Sequence, residues 1–521
     1  MRVAVALAVL AAVVLTGVAG ARAVTGTAGN DLLVGTPRAD VIRGLAGKDR
    51  LVGGRGADFL QGGPGRDTID AGPGNDLLAL SYDGSRDSAL CGAGTDVVNA
   101  DLTDAVGRDC ETVGRRLSRD PYASVDAQHE TEVEPDSFTF GRTTVATFQV
   151  GRRFEGAATN IGFAVTSDAG ATWRSGLLPG LTVASVPAGI NERASDPVVA
   201  FDARHSTWLI STLALGDGAT RLAINRSPSG STWSTAINAA EESGAGGGEA
   251  IAFDKNWIAC DNTGTSPFYG RCYLVYTHSL AADMLAVRWS DDGGLTWSTG
   301  VDIGARPAVG VFPAIRPNGD LVVAYLWETG RFAIAASRST DGGATWGAPV
   351  RIADVDGSCA IRGFRAFPLP AAAVDATGRA WVTWHDCEAS GASRNAVFVA
   401  SSPDGLAWSA KAAVTRGRNA LLPAIGIDAA SGRVAIAFMR YAATGVDIEL
   451  VESPGGASWS SPQRISAQSM PTSWMPNTTS GRMLGDYISV DYARGRPLVA
   501  WVLASEPVGK SFRQAVYATR G

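Results

Sequence analysis

The sequence predicts an all-β protein that is built from two different repeats. Near the N-terminal end an aspartate recurs at every ninth residue, and from about residue 120 a longer unit recurs that ends in tryptophan. The 521 residues include 63 glycines and 14 tryptophans, which favours short strands and tight turns over long helices. A chain of this length exceeds one ordinary core, so we expect at least two domains.

Residues 1–23 are interpreted as a signal peptide. Arg2 precedes an apolar run over residues 3–18, and Ala21-Arg22-Ala23 has the small-x-small pattern of a cleavage site. The apolar run is shorter than a membrane span requires. We therefore expect a mature chain that begins near Val24 and is secreted and extracellular, with no membrane span.

Charge and cysteine content narrow the possible partners. A net charge of -6 with no basic patch argues against nucleic acid. Six cysteines in an exported chain indicate disulfides, and although fifteen pairings are possible, the spacing favours local pairs. The expected pairs are Cys91 with Cys110, Cys260 with Cys272, and Cys359 with Cys387. Metal-ligand spacings such as C-x-x-C are absent, so no zinc site is expected.

The N-terminal repeat keeps a carboxylate and an aliphatic side chain at fixed phases. The aspartates of the uninterrupted run are Asp31, Asp40, Asp49, Asp58, Asp67 and Asp76. Asp87 and Asp96 resume the interval after one insertion. The aliphatic residues two positions later are Leu33, Ile42, Leu51, Leu60, Ile69 and Leu78. Glycine lies two positions before each of the first six aspartates except Asp40, where Arg38 replaces it.

This pattern predicts a short parallel β-roll that binds calcium. Each nonapeptide forms half a coil, and units eighteen residues apart stack at roughly 4.8 Å, which places Asp49 over Asp67. Stacked carboxylates need a cation, and calcium accepts six or more oxygens, including the backbone carbonyls of glycine turns. The predicted ligands are Asp31, Asp49, Asp58, Asp67, Asp76, Gly54, Gly56, Gly63, Gly65, Gly72 and Gly74.

Residues 26–98 closely resemble RTX, or hemolysin-type, calcium-binding repeats, whose glycine-rich nonapeptides form a parallel β-helix. The match is strongest over residues 44–76, whereas Thr36 and Arg38 depart from the pattern beside Asp40. A flexible glycine-rich linker is the alternative, but a linker would not keep an aliphatic residue in phase. We expect Cys91 and Cys110 to close the last, degenerate coil, so that the roll spans residues 24–115.

The second repeat follows the pattern Ser-x-Asp-x-Gly-x-Thr-Trp. Residues 290–297 and 339–346 fit it fully, and residues 166–173 fit it with Thr in first place. Three degenerate copies end at Trp233, Trp408 and Trp459, and in these Pro228, Pro403 and Pro454 are interpreted as replacing the aspartate. These motifs resemble the Asp-boxes, or BNR repeats, of sialidase-like β-propellers. The resemblance implies that each box is the turn between the third and fourth strands of a blade, with a structural role for Asp168, Asp292 and Asp341.

We therefore expect residues 116–521 to form an Asp-box β-propeller. Seven hairpins of alternating apolar character precede the box positions or their equivalents, which predicts seven blades of about 55 residues, with six blades, as in sialidases, as the alternative. The last blade lacks an outer strand in the sequence. Residues 122–132 are expected to supply it by pairing with the C-terminal strand.

The propeller resemblance implies a ligand-binding face opposite the Asp-boxes. Candidate catalytic residues in its loops are Arg193, Asp196, Asp254, Arg365, Arg418, Asp486 and Tyr487, accompanied by Glu249, Lys255 and Arg362. Converging arginines would hold an anionic sugar, because guanidinium binds carboxylate in a bidentate fork. The alternative is that these residues are loop charges, turn carboxylates and a core tyrosine.

Three functions remain open at this point. The first is a secreted calcium-binding protein whose propeller recognises a glycan or another extracellular polymer. The second is a sialidase-like exo-glycoside hydrolase, which needs three arginines, an aspartate and a tyrosine activated by glutamate; the Arg-Ile-Pro element of sialidases is missing before the first box. The third is a structural surface protein with a calcium-triggered folding switch.

Overall fold

The computed structural model describes residues 22–80, 82–123, 126–243, 251–357, 359, 361, 363–389 and 392–519. The predicted signal peptide lies, apart from its last two residues, outside the described residues, as do Glu249 and Arg362. The chain divides into two compact units, one comprising the residues up to Arg116 with Ile465–Gln468, and the other comprising Leu117–Arg464 with Ser469–Gly521. The described residues include no helix long and apolar enough to cross a membrane.

The first unit, called the roll below, consists of short strands on two parallel sheets. One sheet contains β1 (Ala23–Thr25), β3 (Val41–Arg43), β5 (Phe59–Gln61), β7 (Leu77–Ala79), β9 (Val97–Ala100) and β11 (Thr112–Arg116). The other contains β2 (Leu32–Val34), β4 (Arg50–Val52), β6 (Thr68–Asp70), β8 (Ser88–Leu90) and β10 (Ala105–Val106). Strands alternate between the sheets along the chain, as the half-coil interpretation predicts.

The aliphatic residue of each nonapeptide forms the core of the roll. Leu33 lies beside Leu51, and Ile42 lies beside Leu60, in a register of eighteen residues. Ile42, Leu51, Leu60 and Leu78 are fully buried. The insertion lengthens the register, so that Ile69 pairs with Ala89. The disulfide between Cys91 and Cys110 is present, as are the other two predicted pairs, Cys260 with Cys272 and Cys359 with Cys387.

The second unit, called the propeller unit below, contains antiparallel sheets in chain order. Sheet 1 is β12 (Glu132–Phe140), β13 (Thr143–Arg152), β14 (Ala158–Thr166) and β15 (Arg174–Leu177). Sheet 2 is β16 (Arg193–Asp202), β17 (Thr207–Gly216), β18 (Ala219–Ser227) and β19 (Ile237–Ser243). Sheet 3 is β20 (Phe253–Cys260), β21 (Cys272–His278), β22 (Met284–Ser290) and β23 (Val301–Asp302), with a 3-10 helix at Ser279–Ala281.

The remaining sheets repeat this order. Sheet 4 is β24 (Ala308–Ile315), β25 (Leu321–Glu328), β26 (Phe332–Ser339) and β27 (Val350–Asp354). Sheet 5 is β28 (Ala371–Val374), β29 (Ala380–Cys387), β30 (Asn395–Ser402) and β31 (Ala412–Ala413). Sheet 6 is β32 (Ala420–Ile427), β33 (Val434–Ala442), β34 (Gly445–Ser453) and β35 (Gln463–Arg464).

A three-stranded sheet 7 follows a short connecting segment. The segment contains a 3-10 helix at Thr472–Trp474 and the hairpin of β36 (Asn477–Thr478) and β37 (Gly481–Arg482). Sheet 7 is β38 (Ser489–Ala493), β39 (Arg496–Ala504) and β40 (Gln514–Thr519). The first strands of consecutive sheets contact one another, and the first strand of sheet 7 also contacts that of sheet 1.

The Asp-boxes occupy the turns between the third and fourth strands of their sheets. In the box of sheet 1, Asp168 Oδ1 accepts the backbone N–H of Thr172 at 2.9 Å, and the indole of Trp173 donates to Gly170 O at 3.2 Å. Burial alone would raise the pKa of the Asp168 carboxyl, but the hydrogen bonds from Thr172 lower it below its ordinary value. The same threonine bonds occur at Asp292 and Asp341.

One prediction about the degenerate boxes was wrong. Pro403 stands in the second position of its box and does not replace the aspartate, because Asp404 takes the third position and accepts the N–H groups of Leu406 and Ala407 at 2.8 Å. That box is one residue shorter than the full motif, which obscured the alignment. Pro228 and Pro454 likewise occupy second positions, and Ser229 and Gly455 follow them.

Candidate functional sites

The ladder aspartates of the roll use their two carboxylate oxygens differently. From Asp49 to Asp96, each Oδ1 accepts the backbone N–H of the aspartate one coil earlier, at 2.7–2.8 Å. The Oδ2 atoms of the same residues are buried and have no hydrogen-bond partner among the described residues. These residues are Asp49, Asp58, Asp67, Asp76, Asp87 and Asp96. One oxygen therefore fixes the stacking of the coils, and the other is left for a ligand.

Backbone carbonyls converge on these unpartnered oxygens. A Cβ at Gly44 would lie 2.4 Å from both Asp49 Oδ2 and Gly62 O of the next coil. A Cβ at Gly53 would lie 2.6 Å from Asp58 Oδ2 and 2.4 Å from Ala71 O. Glycine at these positions thus leaves a small space between a carboxylate and a carbonyl oxygen, a donor set of the hard oxygen type that calcium prefers.

Burial makes the ladder carboxylates costly to ionise without a cation. Burial, reinforced by neighbouring carboxylates, raises the pKa of Asp67 to about 6, that of Asp76 to about 7 and that of Asp87 to about 8. No group of three or more His, Cys, Asp or Glu side chains suited to a metal occurs in the described part of the chain. The ladder would instead hold an ion with one carboxylate per coil and backbone oxygens.

The structure distinguishes the predicted ligands from one another. Asp31 Oδ2, unlike those of the aspartates from Asp49 to Asp96, accepts the backbone N–H of Thr27 at 2.6 Å and its hydroxyl at 2.9 Å. Asp40 Oδ2 accepts the N–H of Thr36 in the same way. Asp87 and Asp96 have the unpartnered geometry of the strong sites, although the insertion before them kept both out of the predicted set. The sequence feature that could have included them is the nine-residue spacing, which resumes from Asp87 to Asp96.

The predicted ligand glycines occupy the turns of these coils. Gly54, Gly56, Gly63, Gly65 and Gly72 have positive φ values between 92° and 136°. Gly74 has no positive φ, but a Cβ there would lie 1.5 Å from Gly56 O. The close contact of one turn with the next explains why side chains are excluded from the glycine ladder.

In the propeller unit, charged side chains from sheets 1, 2 and 3 and from the segments before β28 and β38 meet near the starts of the first strands. Lys255 Nζ lies 2.7 Å from Asp486 Oδ2 and 3.5 Å from Asp196 Oδ2. Arg365 holds Asp486 in a bidentate pair, with its Nε 2.7 Å from Oδ1 and a terminal nitrogen 2.5 Å from Oδ2. Glu134 accepts hydrogen bonds from Gln149 and, at 3.4 Å, from the backbone N–H of Asp486. These residues form the axial cluster.

Three members of the axial cluster stand on β-bulges. Glu134, Asp196 and Lys255 have φ values of 55°, 48° and 48°, and each lies where the pairing register of the first two strands shifts. A bulge redirects one side chain out of the alternation of the strand. Gly310 and Leu422 occupy equivalent bulges in sheets 4 and 6. Side chains at these positions are therefore presented together at one end of the sheets.

Sequence reasoning did not select Glu134. A recurrent dipeptide with proline could have indicated it in the sequence. Glu134-Pro135, Asp196-Pro197 and Leu422-Pro423 all lie near the start of the first strand of a sheet and coincide with the bulges. Proline tolerates a bulge, since it cannot donate to the strand ladder. The same dipeptide would have connected Glu134 with the predicted Asp196.

Ionisation within the axial cluster follows from burial and pairing. Burial, reinforced by the nearby Asp196, raises the pKa of Glu134 to about 8. Burial would also raise the pKa of Asp486, but Lys255 and Arg365 together hold it well below its ordinary value. Burial raises the pKa of the Tyr487 hydroxyl, as do the surrounding carboxylates, so the phenol stays protonated at neutral pH.

A cavity opens beside this cluster. Its polar side contains Asp196, Lys255 and Asp486. Its apolar lining includes Trp257 and Phe312, whose ring centroids are 4.3 Å apart, with Tyr487 5.3 Å from Trp257. The result, called the axial cavity below, joins hydrogen-bonding groups to an aromatic surface.

Not all of the predicted catalytic residues lie at the axial cavity. Asp196, Arg365, Asp486 and Tyr487 come together there, and Asp254 lies beside Lys255, whose backbone N–H its Oδ1 accepts at 2.9 Å. Arg418 instead pairs with Glu449, at 2.9 and 2.6 Å. Arg193 lines a different pocket with Glu192 and Thr220. The three predicted arginines thus lie in three different places, without a shared space for a substrate carboxylate.

Comparison with known proteins identifies the N-terminal repeats. Residues 25–60 and 44–78 match the RTX calcium-binding nonapeptide repeat family, which confirms the RTX interpretation for residues 25–78. No curated protein matches the chain. Sialidases occur among the similar solved structures.

Three of these solved structures illustrate the level of similarity. The Hadza microbial sialidase Hz136 is 16% identical with a TM-score of 0.41, over 59% of this chain and 63% of that one. The intramolecular trans-sialidase from Ruminococcus gnavus is 14% identical with a TM-score of 0.42, over 62% and 93%. The α-L-arabinanase of Penicillium chrysogenum is 14% identical with a TM-score of 0.42, over 78% and 97%. This chain therefore spans less than two thirds of the first of them.

Proposed function

We propose that this protein is a secreted calcium-binding protein whose propeller unit binds an extracellular carbohydrate in the axial cavity. The observation that carries the calcium assignment is the series of buried, unpartnered Oδ2 atoms, of which those of Asp49, Asp58 and Asp67 lie within 2.6 Å of the place that a Cβ would take on a glycine. The proposed carboxylate ligands are Asp49, Asp58, Asp67 and Asp76, extended to Asp87 and Asp96, with Asp31 as a weaker position at the open end. Carbonyls of the glycine turns supply the remaining oxygens.

The domain arrangement belongs to the same proposal. Residues 1–23 are a signal peptide, residues 24–115 the calcium-binding roll and residues 116–521 a seven-bladed propeller. Seven blades are favoured over six because the first strands of sheets 1 to 7 follow one another in contact and sheet 7 contacts sheet 1. The proposed closure by residues 122–132 is supported by two hydrogen bonds at the start of β40, where the backbone N–H groups of Phe512 and Gln514 donate to His129 O and Glu130 O at 3.0 and 2.8 Å.

The shape and chemistry of the axial cavity support a carbohydrate ligand. A pyranose ring has C–H faces that pack on aromatic rings and a rim of hydroxyls that need hydrogen-bond partners. Trp257 and Phe312 supply the aromatic surface, and Asp196 supplies an acceptor beside it. Ligand sites commonly combine an apolar lining with a few fixed polar groups in this way. We propose binding rather than sialidase-type hydrolysis, because Arg193, Arg365 and Arg418 lie apart.

Calcium binding is tested on the full-length protein by isothermal titration and by far-ultraviolet circular dichroism during calcium addition. We expect calcium to increase the β-sheet signal, and Asp67→Asn to weaken binding. Asp70→Asn is the matched control, because Asp70 is exposed on β6 three residues away. Equal binding by the two variants, or a spectrum that calcium leaves unchanged, contradicts the calcium assignment.

Carbohydrate binding is tested with a printed glycan panel that is probed with the full-length protein in calcium. Trp257→Ala should abolish retention on any chain that the wild type binds. Phe140→Ala is the control, because Phe140 is an exposed aromatic residue at the far end of β12 that stacks on Phe201 instead. Absence of binding to the whole panel would remove the carbohydrate proposal and leave the calcium proposal standing.

A further inference from the structure

The cations of the axial cluster are already committed to protein carboxylates. Lys255 lies between Asp486 and Asp196, and two nitrogens of Arg365 bind the two oxygens of Asp486. The Asp486 side chain is fully buried, and the Lys255 side chain is 14% exposed. Bidentate guanidinium–carboxylate pairs of this kind are among the strong hydrogen-bonded contacts in proteins. The cluster therefore offers a ligand little positive charge.

The charges that line the axial cavity itself are acidic in sum. Asp196, Lys255 and Asp486 face it, two carboxylates against one ammonium. A ligand carboxylate placed there would lie beside Asp196 or would have to displace Asp486 from Arg365 and Lys255. Leaving a buried carboxylate unpaired is strongly unfavourable. Like-charge contacts and lost pairs are the means by which a site rejects a wrong ligand.

An acceptor is nevertheless available in the cavity wall. Asp196 Oδ1 accepts the hydroxyl of Ser195 at 2.7 Å, whereas Asp196 Oδ2 is buried without a hydrogen-bond partner, 3.5 Å from the Lys255 ammonium. A donor such as a sugar hydroxyl would satisfy that oxygen. The other wall, which includes Val311, Leu369 and Leu422, has no charge to offer a second ionic group.

We infer that the ligand of the axial cavity is an uncharged sugar and not an acidic one. This inference rests on the proposed carbohydrate function and specifies its substrate class. The sugar donates a hydroxyl to Asp196, and its C–H face lies against Trp257 and Phe312. The site thus differs from one in which arginines bind the carboxylate of an acidic ligand, because Arg365 here binds Asp486 of the protein itself.

The test uses the full-length protein in calcium on a panel of matched oligosaccharides whose terminal residues are neutral sugars, uronic or sialic acids, or free amino sugars. The wild type should retain neutral chains. Asp196→Asn should weaken that retention about ten-fold or more, which corresponds to the loss of one hydrogen bond to a charged group. Asparagine suits the positive φ of residue 196, so the bulge is preserved. Asp302→Asn, at an exposed carboxylate paired with Arg306, is the control.

Asp486→Asn supplies a test in the opposite direction. It frees Arg365 and Lys255 from their carboxylate, so the folded variant should gain retention on chains that end in uronic or sialic acid. If the wild type retains acidic or amino-sugar chains and Asp196→Asn loses this retention, the carbohydrate function stands and the inference of a neutral sugar is overturned. Retention of neutral chains that Asp196→Asn leaves unchanged overturns the assignment to this cavity. If no chain is retained, the proposed carbohydrate function fails and the inference fails with it.

Discussion

Substitution of Gly65 by alanine should prevent two coils of the roll from stacking. Gly65 has a φ of 136°, and a Cβ there would lie 1.6 Å from Gly47 O of the preceding coil. That distance is close to a covalent bond length, and the obstacle is backbone, so no side-chain rotation relieves it. The matched control is Gly84→Ala, because Gly84 also has a positive φ, of 73°, but no atom lies within 4 Å of the added Cβ.

The two glycine variants separate backbone strain from coil opening. Strain alone at a left-handed position costs about 1–2 kcal/mol, which is the full effect expected for Gly84→Ala. At Gly65 the coils must also part, which breaks the hydrogen bonds of Gly47 N–H to Pro64 O at 2.9 Å and of Asp49 N–H to Asp67 Oδ1 at 2.8 Å. At about 1 kcal/mol per bond, the expected loss is about 3–4 kcal/mol.

The assay is hydrogen exchange of the full-length protein in saturating calcium, read by mass spectrometry on peptides from residues 40–80. Gly65→Ala should lose protection in these peptides and raise the calcium concentration needed to restore it. Gly84→Ala should keep the protection pattern of the wild type with slightly faster exchange. Similar exchange in the two variants would refute the idea that the coils are in backbone contact at Gly65.

Three further predictions concern charge and crosslinking. Asp76→Asn should weaken calcium binding at least ten-fold in a calorimetric titration, and Asp31→Asn much less, because Thr27 already satisfies Asp31; equal effects would contradict the proposed ligand set. Because its pKa is raised to about 8, Glu134 in the folded protein retains a proton that the unfolded chain releases above about pH 4.5. The stability that this group contributes is therefore lost as pH rises through about 8. Glu134→Gln should accordingly show a smaller fall in Tm between pH 5 and 8 than the wild type. Replacing Cys91 and Cys110 by serine should destabilise the roll by about 3 kcal/mol in denaturant titrations, from their separation of 19 residues; an unchanged midpoint would show that the cap does not need the crosslink.

The sequence was sufficient for the roll because its determinants are local and periodic. A coil of eighteen residues sets both the distance between stacked aspartates and the phase of the buried aliphatic residues, so Leu51 over Ile69 follows from counting. The disulfides were predictable for the same reason, since each joins cysteines close in sequence. The insertion before Asp87 marked the limit of this reasoning, as the register there changes to twenty residues.

The axial cluster could be predicted only in part, because its members come from distant sheets. Asp196 and Asp486 are separated by 290 positions and meet through Lys255, and nothing in the local sequence of either indicates that shared lysine. Arg418 has the composition of a site arginine but pairs with Glu449 of its own sheet. The bulges that direct Glu134 and Asp196 into the cluster depend on strand pairing, which sequence pattern alone does not determine.

The geometry of the ladder aspartates assigns calcium a specific task in the roll. The Oδ1 hydrogen bonds, such as that from the N–H of Asp49 to Asp67, already define which coil stacks on which. Calcium is therefore not required to choose the register. Its task follows from Oδ2 of these carboxylates, which is buried with no donor and which at Asp49 and Asp58 shares a small space with an electron-rich carbonyl of the next coil. A cation between these oxygens converts a repulsive stack into an attractive one, so binding and closure of each coil should occur together, from the disulfide-closed end, where the unpartnered carboxylates are most deeply buried, towards Asp31.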